Sequence, residues 1–85
     1  MSIRKKRNLI RRLKSVPCMD CETSYPAVCM DFDHRDPSKK ICSVSEAAKK
    51  SYDLMINEIS KCDVVCSNCH RIRTAKRLDG YSGEF

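Results

Sequence analysis

Cys66-Ser67-Asn68-Cys69-His70 is the stretch on which the reading of this chain turns. A Cys-x-x-Cys turn brings both thiolates to one side of the backbone. A second such pair, Cys18-Met19-Asp20-Cys21, stands upstream, and two pairs supply the four sulfurs of a tetrahedral structural Zn²⁺ site. The pairs are separated by 44 residues, more than a plain zinc ribbon holds, so the metal would close a large loop and tie the start of the chain to its end. Structural zinc sites in small peptides contribute roughly 10–16 kcal/mol, enough to decide whether a small domain folds. Cys66 to His70 also satisfies the c-type haem attachment pattern, but haem would leave Cys18 and Cys21 without a role and would normally require export.

Such a staple is needed. The chain has 85 residues, 41% of them hydrophobic, with three Tyr, two Phe and no Trp. A single domain of this size buries only about 60–65% of its unfolded surface. No stretch approaches the ~20 apolar residues of a membrane span, and Met1 to Lys14 lacks the apolar run of a signal peptide. A cytoplasmic, reducing setting without membrane attachment is therefore expected. There, seven cysteines read as four metal ligands plus spare thiols, with Cys29, Cys42 and Cys62 as small buried apolar residues.

The net charge of +6 is unevenly spread. Residues 1–17 contain Arg4, Lys5, Lys6, Arg7, Arg11, Arg12 and Lys14 and no acid, whereas residues 18–37 are net acidic. Each of those cations can neutralise a phosphate, so residues 1–16 form a basic arm suited to salt-dependent nucleic-acid binding. Ile3, Ile10 and Leu13, with Leu9 beside them, recur at helical spacing and predict a short helix docking one apolar stripe.

From Pro17 a zinc-stapled domain over residues 17–78 is expected, followed by a loose tail over 79–85. Between Ala27 and Asp33, Val28, Met30 and Phe32 alternate with Cys29, Asp31 and Asp33, the pattern of a strand with one buried face. Pro37 closes that strand in a turn after His34. Ser45 and Ser51 are the expected N-caps of two short helices, the second carrying Leu54, Met55, Ile56 and Ile59. Asp63-Val64-Val65 is a short β-prone run, and His70 to Leu78 reads as a basic helix.

His34 ends the predicted strand and His70 opens the last helix. If the two elements pack together, Asp33 and His70 offer an oxygen and a nitrogen to one divalent cation. Adjacent strand residues point opposite ways, so Asp33 and His34 can divide the roles of ligand and base around a phosphate.

Taken together, the first Cys-x-x-Cys, Phe32-Asp33-His34 followed by Arg-Asp-Pro, and Cys66 to His70 opening a basic helix resemble the HNH endonucleases. The likeness runs from about Cys18 to Lys76. It implies a small α+β fold with the ββα-metal (HNH) motif, held by Cys18, Cys21, Cys66 and Cys69 on a structural zinc and preceded by the basic helix. The resemblance further implies a DNA endonuclease in which His34 is the general base and Asp33 and His70 hold the catalytic cation. Two departures stand out: Lys61 occupies the place of the family's middle Asn, with Asn57 and Asn68 nearest, and Arg73 and Thr74 stand where some members carry another His. A two-residue cation site must be completed by water and phosphate, which suits Mg²⁺ or a similar hard ion.

The reaction expected on this basis is metal-assisted hydrolysis, with imidazole, the side chain that titrates near neutral pH, taking a proton from water. Asp31, Asp33 and Asp36 would draw the cation. Arg4, Lys5, Arg7, Arg11, Arg12, Arg71, Arg73, Lys76 and Arg77 are the candidate DNA contacts. The alternative is a zinc-stabilised nucleic-acid-binding module without catalysis. A monomer or homodimer, with a protein partner to direct cutting, in a bacterial or phage-infected cell completes the expectation.

Overall fold

The extended segment is realised as β1 (Met30–His34), paired antiparallel with β2 (Cys62–Cys66). The register sets Met30 opposite Cys66, Phe32 opposite Val64 and His34 opposite Cys62. These are the findings of a computed structural model, which describes residues 1–79. β1 is shorter at its start than the alternation predicts. Ala27–Cys29 forms a turn of 3₁₀ helix after Pro26, and the Cys29 amide is spent on the Pro26 carbonyl at 2.8 Å, so it has nothing to offer a ladder. Val28, expected on the buried face, is 90% exposed, whereas Met30 at 1% begins the core. His34 ends the strand, as expected.

Between the strands lie two helices, α2 (Val44–Lys50) and α3 (Tyr52–Ser60), and after them comes α4 (Ser67–Asp79). α4 starts three residues earlier than expected, immediately after β2, and the tail beyond Asp79 lies outside the described residues. The cap of α2 is Ser43 rather than Ser45: its side-chain oxygen accepts the Glu46 amide at 3.1 Å. Ser51 serves both helices, donating its amide to Ala47 at 3.0 Å and accepting the Leu54 amide on its side chain at 3.1 Å. The resulting tight corner folds α3 back on α2. Val44, Ala47, Ala48 and Met55 form the core there, with Phe32 of β1 and Ile59 packed against it.

The basic segment forms α1 (Ile3–Leu13), capped by Ser2. It is docked on α2. Leu9 and Ile10 reach the core as expected, but Ile3 and Leu13 stay largely exposed, and the deepest residue of α1 is Lys6. Its ammonium donates to the Ala48 carbonyl at 2.8 Å. That carbonyl lies in the last turn of α2, where backbone acceptors lack helical partners and cations are favoured. A smaller cluster of Cys18, Met30, Val65 and Cys66 fills the other end of the sheet. Among the described residues no helix is long and apolar enough to cross a membrane.

The reassigned cap makes a direct prediction. Ser43→Ala is expected to lower unfolding free energy by about 1 kcal/mol in urea titrations, whereas Ser45→Ala should change it by less than about 0.5 kcal/mol.

Candidate functional site

The first Cys-x-x-Cys forms a knuckle. The Glu22 amide bonds the Cys18 carbonyl at 2.9 Å, the Cys18 amide bonds the Thr23 carbonyl at 3.0 Å, and Glu22 takes a left-handed φ of 61° to close the turn. The Met19 amide reaches the Val64 carbonyl at 3.0 Å, which fastens the knuckle to β2. Cys66 ends β2 and Cys69 lies in the first turn of α4, so strand, helix and knuckle converge. The four sulfur atoms of Cys18, Cys21, Cys66 and Cys69 lie within 4.8 Å of one another. With metal–sulfur bonds of ~2.3 Å, a tetrahedral tetrathiolate fits that spacing. This cluster can hold a structural metal such as zinc.

Two of the thiols are pushed in opposite directions. Burial alone would raise the Cys18 thiol, but amides of Cys21, Cys66 and Asp20 and the Cys21 side chain bring it down to about 6. Burial and the other three sulfurs push Cys69 up. Crowded thiols cannot all ionise without a cation among them, so metal uptake would release protons. The spare thiols are different: burial and the Glu58 carboxylate push Cys62 up to about 11, and its sulfur donates to the Glu58 carbonyl at 3.2 Å.

Beside the cluster, Asp33 and Asp63 stand directly opposite each other in the strand register, an arrangement of like charges that opposes pairing. Arg73 resolves it. One of its terminal nitrogens donates to Asp33 at 2.9 Å and to Asp63 at 3.0 Å, while the rest of the guanidinium forks onto Asp20 of the knuckle at 2.7 and 2.6 Å. Arg77 adds two bonds to Asp33, at 2.8 and 2.9 Å, and one to the His34 carbonyl at 3.1 Å. Burial would raise the Asp33 carboxyl, but Arg77 and Arg73 more than offset it and hold it below the usual carboxylate range.

Asp33 is therefore 3% exposed with both oxygens engaged by arginine. The His70 Nε2 lies 3.4 Å from it, but the closer carboxylate to His70 is Asp31, whose oxygen is 3.0 Å from Nδ1. The structure thus brings His70 to Asp31 as well as to the expected Asp33, and Asp31 is the one with exposed surface. A groove of about 300 Å³ is lined by Asp31, His34 and His70 together with Phe32, Lys14 and Lys40. Asp31 and His34 have opposite parity on β1. Both nonetheless line the groove. Lys14 extends over the Phe32 ring, 5.4 Å from its centroid.

His34 is only 7% exposed, and its Nε2 lies 3.0 Å from an oxygen of Glu58, a residue of α3 that is 0% exposed. The same oxygen accepts the Ile41 amide at 3.2 Å, and the other accepts the Lys61 ammonium at 2.6 Å. Glu58 had no place among the expected site residues. The signal for it was an acid between Met55 and Ile59, inside the apolar run of α3, where a carboxylate requires partners.

The remaining expected residues divide by what holds them. Arg73 and Arg77 are engaged by carboxylates, and Lys6 is buried on α2. Arg4, Lys5, Arg7, Arg11, Arg12, Arg71 and Lys76 are exposed. Asp36, expected to draw a cation, accepts the amide and hydroxyl of Ser38 at 3.0 and 2.7 Å. Asn57 and Asn68 are exposed. No known protein family, characterised protein or solved structure matches the chain.

Two outcomes are expected. Stripping metal with a strong chelator, or Cys18→Ser, should abolish the cooperative thermal transition seen by far-ultraviolet circular dichroism. Arg73→Met should lower unfolding free energy by about 3 kcal/mol, since it removes the one guanidinium that bridges Asp33, Asp63 and Asp20, while Arg71→Ala should stay within about 0.5 kcal/mol.

Proposed function

We propose that this protein is a metal-dependent endonuclease that hydrolyses DNA phosphodiester bonds. The observation that carries the reading is one groove lined by Asp31, His34 and His70, with Lys14 and Lys40 beside them. The sequence resemblance to the HNH endonucleases supports the same reading. Zinc is the proposed occupant of Cys18, Cys21, Cys66 and Cys69, because an all-thiolate set favours it over hard ions.

In the groove, Asp31 and His70 would hold the catalytic cation through an oxygen and a nitrogen, leaving room for water and phosphate. Asp31 takes the role expected of Asp33, whose oxygens serve Arg73 and Arg77. When bound, a divalent cation supplies Lewis-acid stabilisation of charge at the reacting phosphate. His34 accepts a proton from the attacking water. Lys14 and Lys40 meet the flanking phosphates, and the exposed cations of α1, with Arg71 and Lys76, extend that contact along the DNA backbone.

Plasmid nicking by zinc-loaded protein in Mg²⁺, Mn²⁺ or Ni²⁺ tests the proposal. Wild type is expected to nick, and His34→Ala to nick at least about 100-fold more slowly. Asp31→Asn should raise the cation concentration for half-maximal rate about tenfold or more. No nicking with any of these cations, or equal rates for wild type and His34→Ala, would leave a binding module without catalysis.

A further inference from the structure

We infer that Glu58, backed by Lys61, is the positioning residue for His34, fixing the ring so that Nε2 carries the proton and Nδ1 is the nitrogen that accepts one. The inference rests on the nuclease reading and extends it to a buried pair outside the groove.

The geometry leaves Glu58 little choice. It is completely buried, and both oxygens are engaged: one by the His34 ring nitrogen and the Ile41 amide, the other by Lys61. The Lys61 ammonium holds the Glu58 carboxyl down at about 2, against the burial that would raise it, with His34 and the Ile41 amide adding to the effect. At neutral pH the group is thus an ionised carboxylate, which has lone pairs and no proton to give. A hydrogen bond between it and Nε2 requires the hydrogen to be on the imidazole. In a neutral ring, Nδ1 is then the basic nitrogen.

Lys61 has a second part. An ionised carboxylate sealed in a core needs a counter-charge, and Lys61 supplies one at 2.6 Å, so the imidazole need not. Lys61 also donates to the Lys39 carbonyl at 2.9 Å, while Glu58 accepts the Ile41 amide. The pair therefore tethers both sides of Lys40, the groove residue between them. One buried acid orients the base and fixes the loop that carries a phosphate-facing cation. Lys61 stands at the position where the resemblance leads one to expect an Asn.

In the reaction, oxygen of the attacking water forms a bond to phosphorus as its proton moves to Nδ1, and the bond from phosphorus to the leaving oxygen breaks, its electron pair staying on that oxygen, which then takes a proton from solvent. The ring, then protonated on both nitrogens, is cationic and lies against the Glu58 carboxylate until Nδ1 returns its proton to solvent. Glu58 takes part by holding the ring and does not touch substrate.

The test combines kinetics with imidazole ¹⁵N spectroscopy on the full, zinc-loaded chain. Wild-type ¹⁵N shifts are expected to show His34 protonated on Nε2 and bare on Nδ1. Glu58→Gln, which keeps the shape and removes the charge, should lower kcat for plasmid nicking at least about tenfold with KM within about twofold. His34 protonated on Nδ1 in the wild type overturns the inference even if Glu58→Gln does not fold. Equal kcat for a folded Glu58→Gln and wild type overturns the positioning role and leaves the nuclease reading standing. A wild type that nicks nothing removes the nuclease reading, and this role with it.

Discussion

Two carboxylates facing each other across a two-stranded sheet set the terms for everything built on it. Asp33 and Asp63 are register partners, and in an isolated hairpin their repulsion would push the strands apart. A single guanidinium from α4 lies between them and forks onto Asp20 of the first knuckle. β1, β2, α4 and the knuckle are thereby joined at one residue, Arg73. The four sulfurs lie on the same elements, so the ionic clamp and the sulfur cluster reinforce one another. With so small a hydrophobic core, these polar ties do what apolar burial does in larger domains.

The clamp also sorts the charges of the molecule into two populations. Arg73, Arg77, Asp33 and Asp63 are paired with one another where α4 meets the two strands. Lys14 and Lys40, by contrast, border a groove in which the exposed acid is Asp31. In the proposed reading, this exposed carboxylate and its histidine take the divalent ion and the flanking lysines take the phosphate. α1 contributes because it is anchored: Lys6, at the C-terminal turn of α2, fixes the helix that carries Lys14.

Much of this was legible in the chain. The Cys-x-x-Cys spacing identified the cluster, because two thiols three residues apart are adjacent in any tight turn. Ser51 was recognisable as a cap, and the alternation around Phe32 as a strand, because both patterns are local. The errors were also local in origin. Ser43 outcompeted Ser45 for the first turn of α2, and Pro26 diverted the backbone before Met30. The engagement of Asp33, expected as a cation ligand, could not be read locally: its partners, Arg73 and Arg77, are some forty residues away, and nothing near Asp33 announces them.

The sequence by itself determined which chemistries were present: four paired thiols, two histidines beside acids, and a basic helix. Those follow from side-chain identity and short-range spacing, which the backbone cannot alter. Tertiary structure alone decided which acid lies free beside His70, which arginines are spent within the protein, and that a buried glutamate holds His34. Each of those outcomes depends on the antiparallel register and on the way α3 and α4 cross the strands, since a hydrogen bond over 3 Å is set by packing between elements distant along the chain.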